Sequence, residues 1–328
     1  MKILVTGGAG YIGSHFINFL LANGFSKEEI IVFDNLERGF KDSLPEEICL
    51  IKGDLRHRDE ISYVFLNNKI DCVVHFAAYA YVGESMAKPE LYFENNIIGG
   101  MLLLDAMRLG GCKNIIFSSS CATYGIPESI PINEQTPQSP VNPYGETKLI
   151  FEKILNWYSR IHGFNYVALR YFNAAGADFG IGEKHNPETH LIPLVIRSII
   201  QQKEMNIFGN DYPTKDGTCI RDYIHVTDLA NAHFLALKYL QNNGSSLKLN
   251  LGTGRGTSVS EIVSIAEDII GKKAKVVMNE RRAGDPAILV ANADLAKKLL
   301  GWEAKKSIKE TIKDAVDWEI KYSNLKNE

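Results

Sequence analysis

Short apolar runs alternate along the chain with longer segments whose apolar positions recur every three or four residues. Met1–Val5, Ile30–Phe33, Ile48–Ile51, Cys72–Phe76, Asn114–Phe117 and Tyr166–Tyr171 read as strands, each bounded by turn-forming or polar residues. A strand that is apolar throughout has both faces covered. Regular alternation of such strands with helices builds a parallel sheet clothed on each side. The predicted fold is therefore α/β, a doubly wound parallel sheet. Such sheets collect their chemistry at the strands' carboxyl ends, where this chain places small or polar residues: Gly53-Asp54, Ala77-Ala78, Ser118-Ser119-Ser120 and Asn173.

Beyond about Gly176 the alternation weakens into longer loops, at 178–190 and 210–218, with helices expected near 192–202 and 259–270. We expect a nucleotide-binding domain over 1–175 and a second, smaller α/β substrate domain over 176–328, with a segment near 222–242 returning to the first. Without a repeat, a low-complexity tract or a linker, the two parts are expected to pack as one body around a cleft.

The first strand is followed by TGGAGYIG over 6–13 and by a helix expected over Ser14–Ala22. Gly8, Gly10 and Gly13 make G-x-G-x-x-G, and Gly7, Gly10 and Gly13 make G-x-x-G-x-x-G. Either spacing lets a pyrophosphate lie against backbone N–H groups and a helix N-terminus where a Cβ would block it. The second strand ends in Asp34, about twenty residues past the last glycine, where a carboxylate accepts both ribose hydroxyls of NAD and repels the extra phosphate of NADP. Strand, loop, helix, strand and acid in this order make a Rossmann-type dinucleotide unit.

With 328 residues, 45% of them hydrophobic, the chain is long enough to bury a large core. Its formal charge is −3 with acids and bases interspersed, so neither nucleic acid nor a membrane surface is an expected partner. Phosphate binding then falls to individual basic residues. The five cysteines contain no C-x-x-C and read as reduced thiols. No run approaches a membrane span, and the N-terminus is already the first strand, so a cytoplasmic protein is expected.

Asn142-Pro143 reads as a helix cap and first-turn proline, placing Tyr144 at a helix N-terminus and Lys148 one turn later on the same face. An ammonium, a helix dipole and an oxidised nicotinamide together are expected to lower the phenol's pKa by about three units, or about 4 kcal/mol. Such a phenolate removes an alcohol's proton as hydride leaves its carbon. Y-x-x-x-K alone is a common amphipathic pair. The Ser118–Ser120 run ending the preceding strand supplies the hydroxyl that raises it to a catalytic constellation.

TGGAGYIGSH from Thr6, HFAAYAYVGES from His75, SSSCATYG from Ser118, NPYGETK from Asn142 and RYFNAAGA from Arg170 resemble the extended short-chain dehydrogenase/reductase family, and within it the UDP-glucose 4-epimerases. HLIPLV from His190, IFGNDYPTKDGTCIRDYIHVTDLA from Ile207 and RRAGDPA from Arg281 extend the resemblance over essentially the whole chain. It implies Tyr144 as base, Lys148 as its electrostatic support and ribose ligand, and Ser120 as the hydroxyl that orients the sugar or relays its proton. On the cofactor it places Gly7, Gly10, Tyr11, Ile12 and Gly13 of the loop, with Asp34 and Asn35 at the adenosine ribose. Asp54 and Leu55 border the adenine, and Phe76, Ala77, Ala78 and Asn95, with Ser118 and Tyr171, complete the NAD site. On the substrate it places Asn173, Arg221 and Arg282 at the diphosphate, Asp285 at the uridine ribose, Leu191 and Phe208 at the uracil, and His190 and Ile207 beside them. Arginines suit the diphosphate because charge-assisted bonds contribute about 1.5–3 kcal/mol each. An Arg221–Asp222 ion pair and a solvated Arg282 are the structural alternatives.

The resemblance implies interconversion of UDP-galactose and UDP-glucose through a 4-keto sugar, with tightly bound NAD, by a homodimer packed through helices near 89–108 and 144–162. UDP-N-acetylhexosamine or UDP-pentose epimerisation are its substrate alternatives. Ala80 stands where a relative has a phosphate-binding lysine, and Leu289 is intermediate at a position linked to N-acetyl tolerance. A dehydratase would need an acid just after Ser120, where Cys121 and Ala122 stand. A non-catalytic NAD sensor would not need Ser120, Tyr144 and Lys148 together. Cys121 has no histidine partner and reads as a packed thiol. His185 and His190 lack a visible cysteine or carboxylate pattern, so no metal is expected.

Overall fold

In the computed structural model, which describes residues 1–282 and 285–325, β1 (Ile3–Thr6) is buried along its whole length. Ala283 and Gly284 of the RRAGDPA segment, and the last three residues of the expected 176–328 domain, lie outside the described residues. β2 (Ile30–Asp34), β3 (Cys49–Lys52), β4 (Cys72–His75), β5 (Asn114–Ser120) and β6 (Asn165–Tyr171) follow the predicted runs to within a few residues. The largest difference is in β5, which takes in Ser118–Ser120. The three serines pair with Leu169–Tyr171 of β6, so they form the strand's end, as their place in the sequence predicts.

Further along come β7 (Asn173–Ala175), β8 (Glu204–Phe208), β9 (Ile220–His225), β10 (Leu247–Leu251), β11 (Gly256–Ser258), β12 (Lys275–Asn279) and β13 (Ile288–Leu289). Seven strands form one parallel sheet in the order β10-β6-β5-β4-β1-β2-β3. β9 carries a small sheet with β11, β13 and β7, while β12 pairs with β8 in a two-stranded ribbon. The large sheet thus recruits β10 from the later half of the chain.

The first helix, α1 (Tyr11–Ala22), starts three residues before its predicted Ser14, because the last residues of the glycine loop form its opening turn. α2 (Arg58–Asn67), α3 (Val82–Ala87), α4 (Pro89–Tyr92) and α5 (Gly100–Leu109) follow, with a π-helical segment at Phe93–Gly99. α6 (Pro143–His162) begins as predicted: Asn142 Oδ1 accepts the Gly145 N–H at 2.8 Å, with Pro143 in the first turn. α7 (Leu191–Gln201), α8 (Val226–Gln241), α9 (Val259–Ile270), α10 (Asp294–Leu300) and α11 (Ile308–Leu325) complete the chain. No helix among the described residues is long and apolar enough to cross a membrane.

One core packs α1 and α8 on one face of the large sheet; a second packs α2, α5 and α6 on the other. A third lies among α7, α9 and α11 in the later half. Through the second face runs a buried ion pair. Arg170 of β6 donates from Nε at 2.8 Å and Nη2 at 2.6 Å to the two carboxylate oxygens of Glu152 on α6, which are 2% and 0% exposed as side chains. Ser119 Oγ adds a third bond to Glu152 at 2.6 Å. Burial alone pushes the Glu152 carboxyl up, but Arg170 and Ser119 outweigh it and hold it below the usual carboxylate value. Removing one partner leaves the other charge buried and uncompensated. Glu152→Gln is expected to lower stability by about 3–5 kcal/mol in urea unfolding. Lys313→Ala, which breaks an exposed α11 pair with Asp317, should leave it nearly unchanged, because solvent screens the pair.

Candidate active site

Strand order reverses between β1 and β4, and a crevice opens there beyond the carboxyl ends. It is a cleft of about 1500 Å³, and every residue assigned above to catalysis, cofactor or substrate lines it. The glycine loop forms one end. Gly7 has φ +71°, and a Cβ there would stand 2.4 Å from the Ala77 nitrogen; one on Gly13 would stand 2.4 Å from the Gly7 carbonyl oxygen. No side chain caps α1 at Gly10, so the N–H groups of its first turn have no side-chain acceptor. This is a cradle shaped for an anion to approach backbone.

Asp34 ends β2 with its carboxylate already accepting the Ala9 and Leu36 N–H groups, both at 2.9 Å. Burial raises its pKa against those two bonds. Asp54 lines the same end, but its charge is committed within the protein: Arg56 donates from Nε at 2.9 Å and Nη2 at 2.6 Å, and Asn35 Nδ2 at 3.0 Å. Arg56 holds this carboxyl well below its ordinary range. Asp54 and Asn35 therefore shape the wall that Leu55 belongs to.

At the middle of the cleft the Ser120 hydroxyl stands beside the Tyr144 phenol, and Lys148 Nζ donates to the Ser118 carbonyl at 2.8 Å. Ser118 Oγ and the Tyr171 hydroxyl are also hydrogen-bonded. The expected lowering of Tyr144 is not produced by the protein's own groups. Burial pushes the phenol up to about 12, with only the neighbouring Ser120 hydroxyl pulling it down. The Lys148 nitrogen, 5.8 Å from the Tyr144 ring centroid, is directed to the Ser118 carbonyl. Burial likewise pushes Lys148 down to about 7. Of the three contributors named for the phenol, the nicotinamide charge belongs to the cofactor rather than to the chain. Beside this group, burial pushes the Cys121 thiol up to about 12, which agrees with a packed thiol rather than a nucleophile.

The other end carries the cations. Arg221 pairs with Asp285 at 2.5 Å rather than with Asp222, which instead binds the Thr253 N–H at 2.8 Å and the Gly254 N–H at 3.0 Å. Asp285, expected at a ribose, is thus held by an arginine. Arg282 is not simply solvated, because its guanidinium lies 4.2 Å from the centroid of the Phe208 ring. Asn173 opens β7, Leu191 opens α7, and Ile207 and Phe208 end β8.

The cleft also holds residues missed in the sequence. Arg38 lies 5.0 and 4.7 Å from the Tyr79 and Tyr81 ring centroids and pairs with Glu84 at 2.8 Å, bringing a cation to the wall near Ala80. Nothing in its local pattern marks it. Glu183 and Glu188 stand against His185 and His190, correcting the view that these histidines lack carboxylates. A twice-repeated E-x-H, Glu183-Lys184-His185 and Glu188-Thr189-His190, was the available signal.

Residues 3–252 match the NAD dependent epimerase/dehydratase family. The chain belongs to that family. It is 49% identical to a UDP-glucose 4-epimerase of Halalkalibacterium halodurans over 97% of this chain and 95% of that one. A crystal structure of a UDP-glucose 4-epimerase, 47% identical, superposes with a TM-score of 0.95 over 99% of both chains. The structure of the Bifidobacterium longum UDP-glucose 4-epimerase in complex with NAD+ and UDP, 37% identical, superposes with a TM-score of 0.92 over 99% of both. The doubly wound parallel sheet predicted from the strand pattern is the architecture these relatives share.

A buried lysine lowered to about 7 makes a signed prediction. Below pH 7 the folded protein carries a desolvated ammonium; between 7 and 10.5 only the unfolded chain is protonated, so the penalty fades as pH rises. Lys148→Met is expected to be more stable than the parent by about 2–4 kcal/mol at pH 6, with the difference disappearing toward pH 10.5. Denaturant unfolding across that range measures it.

Proposed function

We propose that this protein interconverts UDP-galactose and UDP-glucose by inverting the sugar's C4 centre. The observation that carries this reading is the convergence of Ser120, Tyr144 and, one helical turn on, Lys148 on one cleft whose far end is lined by Arg221 and Arg282. NAD, held against the glycine loop and Asp34, supplies a site that takes hydride from C4 and gives it back. Tyr144 accepts the C4 hydroxyl proton and later returns it. Ser120 orients that hydroxyl, and Lys148 sets the field around the phenol. Arg221, Arg282 and Asn173 hold the diphosphate while the 4-keto sugar turns about its phosphate linkage, so the second delivery reaches the opposite face. Retention of the nucleotide through the turn requires strong contacts to UDP and loose ones to the sugar. No carboxylate follows Ser120 to promote elimination, which separates this site from a dehydratase.

The five cysteines are all unpaired, which fits a reducing cytoplasm. A second copy of the chain packs against the exposed apolar side chains of the helices at 89–108 and 144–162, with residues 1–175 carrying NAD and the later half most of the nucleotide sugar. Ile98, Trp157 and Ile161, which are 54%, 58% and 68% exposed, support that contact. Trp157→Glu is expected to yield monomers in light-scattering chromatography where the parent runs as a dimer.

Incubating purified protein with UDP-galactose and no added NAD, followed by proton NMR, should give a stable mixture with UDP-glucose. UDP-N-acetylgalactosamine and UDP-arabinose, run in parallel, set the breadth that Leu289 leaves open. Tyr144→Phe should reduce kcat by about 10²–10⁴-fold while UDP affinity is kept. Absence of turnover with every substrate, even after NAD is supplied, would sink the proposal and leave an NAD sensor ahead.

A further inference from the structure

We propose that Glu183, His185, Glu188 and His190 bind one divalent transition-metal ion, of the zinc class, in the loop leading into α7. Among the described residues they are a group whose four candidate donor atoms all lie within 4.8 Å of one another. The two Nδ1 atoms face each other at 3.2 Å. Glu183 Oε1 is 2.8 Å from His185 Nδ1 and in hydrogen-bond contact with His190 Nδ1. Glu188 Oε1 stands 3.6 Å from His190 Nδ1 and 3.9 Å from His185 Nδ1. A tetrahedral ion with bonds of about 2.0–2.1 Å separates its ligands by roughly 3.3–3.4 Å, so the four atoms reach that shape through small side-chain shifts.

The donor set selects the ion. Two imidazoles and two carboxylates suit zinc and its first-row neighbours, whereas calcium and magnesium want oxygen alone. Hydrogen bonding within the cluster leaves a remainder that favours a cation. Protons on both Nδ1 atoms satisfy the one shared oxygen of Glu183, and Glu188 Oε1 accepts the Thr189 and His190 N–H groups, both at 2.9 Å, but the other oxygen of the same carboxylate, Oε2, is buried with no hydrogen-bond partner. Its nearby cation, Arg197, is 3.6 Å away and is spent on Glu319 of α11 at 2.6 Å. The Glu183 and Glu188 side chains are 6% and 5% exposed, so two carboxylates are held out of water beside each other. Rings of Tyr81 and Tyr11 pack edge-on to His185 with centroids 5.5 and 6.3 Å away, fixing its orientation from behind.

Four protein ligands leave no open position, so the ion is structural rather than catalytic. It staples the 183–190 loop to the start of α7, where Leu191 and His190 enter the cleft wall, and the cleft itself is its route in.

The test uses tag-free full-length protein, equilibrated with zinc chloride and desalted, then assayed by plasma mass spectrometry. Retention of roughly one zinc per chain is expected, and Glu188→Gln and His185→Ala should each weaken binding by about 100-fold or more. Thermal unfolding of both variants checks that they fold. Cobalt substitution of the unaltered protein gives a second readout that needs no variant: strong visible absorption marks four-coordinate nitrogen and oxygen ligation. Zinc that washes out of the parent, equal retention by folded variants, or the weak spectrum of six-coordinate cobalt would each overturn the proposal. None of these readouts depends on sugar turnover, so the metal site and the epimerase reading stand or fall separately.

Discussion

The placement of Tyr144 and Lys148 in the cleft depends on how α6 is clamped to the sheet. Tyr144, Lys148 and Glu152 stand at i, i+4 and i+8, one above another on a single face of that helix. Glu152 is the deepest of the three and is bound by Arg170 of β6 and Ser119 of β5. Arg170 also donates to the Tyr124 hydroxyl at 2.9 Å, which in turn donates to Asn250 of β10 at 2.6 Å. One carboxylate thereby fixes the rotation of α6 against three adjacent strands. A rotation of one residue would carry Tyr144 about 100° away from Ser120, since the helix turns once every 3.6 residues.

Charge in the cleft is organised by burial. With no general basic surface, anions meet only individual cations, three of them already engaged: Arg221 with Asp285, Arg38 with Glu84, Lys148 with a carbonyl. Such pairing holds the side chains in place before a ligand arrives and lets them exchange one acceptor for another. Lys148 and Tyr144 illustrate the cost, since burial drives both toward their neutral forms. A charged cofactor beside them would favour the phenolate, which makes acid–base readiness a property of protein and cofactor together.

Backbone conformation does the equivalent work at the glycine loop. Gly7 needs its left-handed φ and the space of its absent Cβ, because Ala77 after β4 passes directly behind it. The loop, the β4 end and α1 are consequently a single packed unit. The anion cradle is the uncapped end of a helix whose other contacts are already satisfied.

Short apolar runs and period-3.6 patterning, the glycine spacing, the Asn142–Pro143 cap and the Y-x-x-x-K pair are local signals, and they determined the large sheet's first six strands, the start of α6 and the residues at the middle of the cleft. Three things were beyond local signals, two of them because they depend on pairs distant in sequence. β10 joins the edge of the large sheet beside β6 only through tertiary pairing. Arg221 takes Asp285 as partner, 64 residues away, in preference to its own neighbour Asp222, since adjacent residues on β9 point to opposite faces. The gathering of Glu183, His185, Glu188 and His190 is closer in sequence, yet an E-x-H repeat in a loop has no period to announce which side chains converge. Sequence sufficed where one element's own geometry placed the group; the folded chain decided wherever two elements had to meet, because burial and pairing are settled only by what lies opposite.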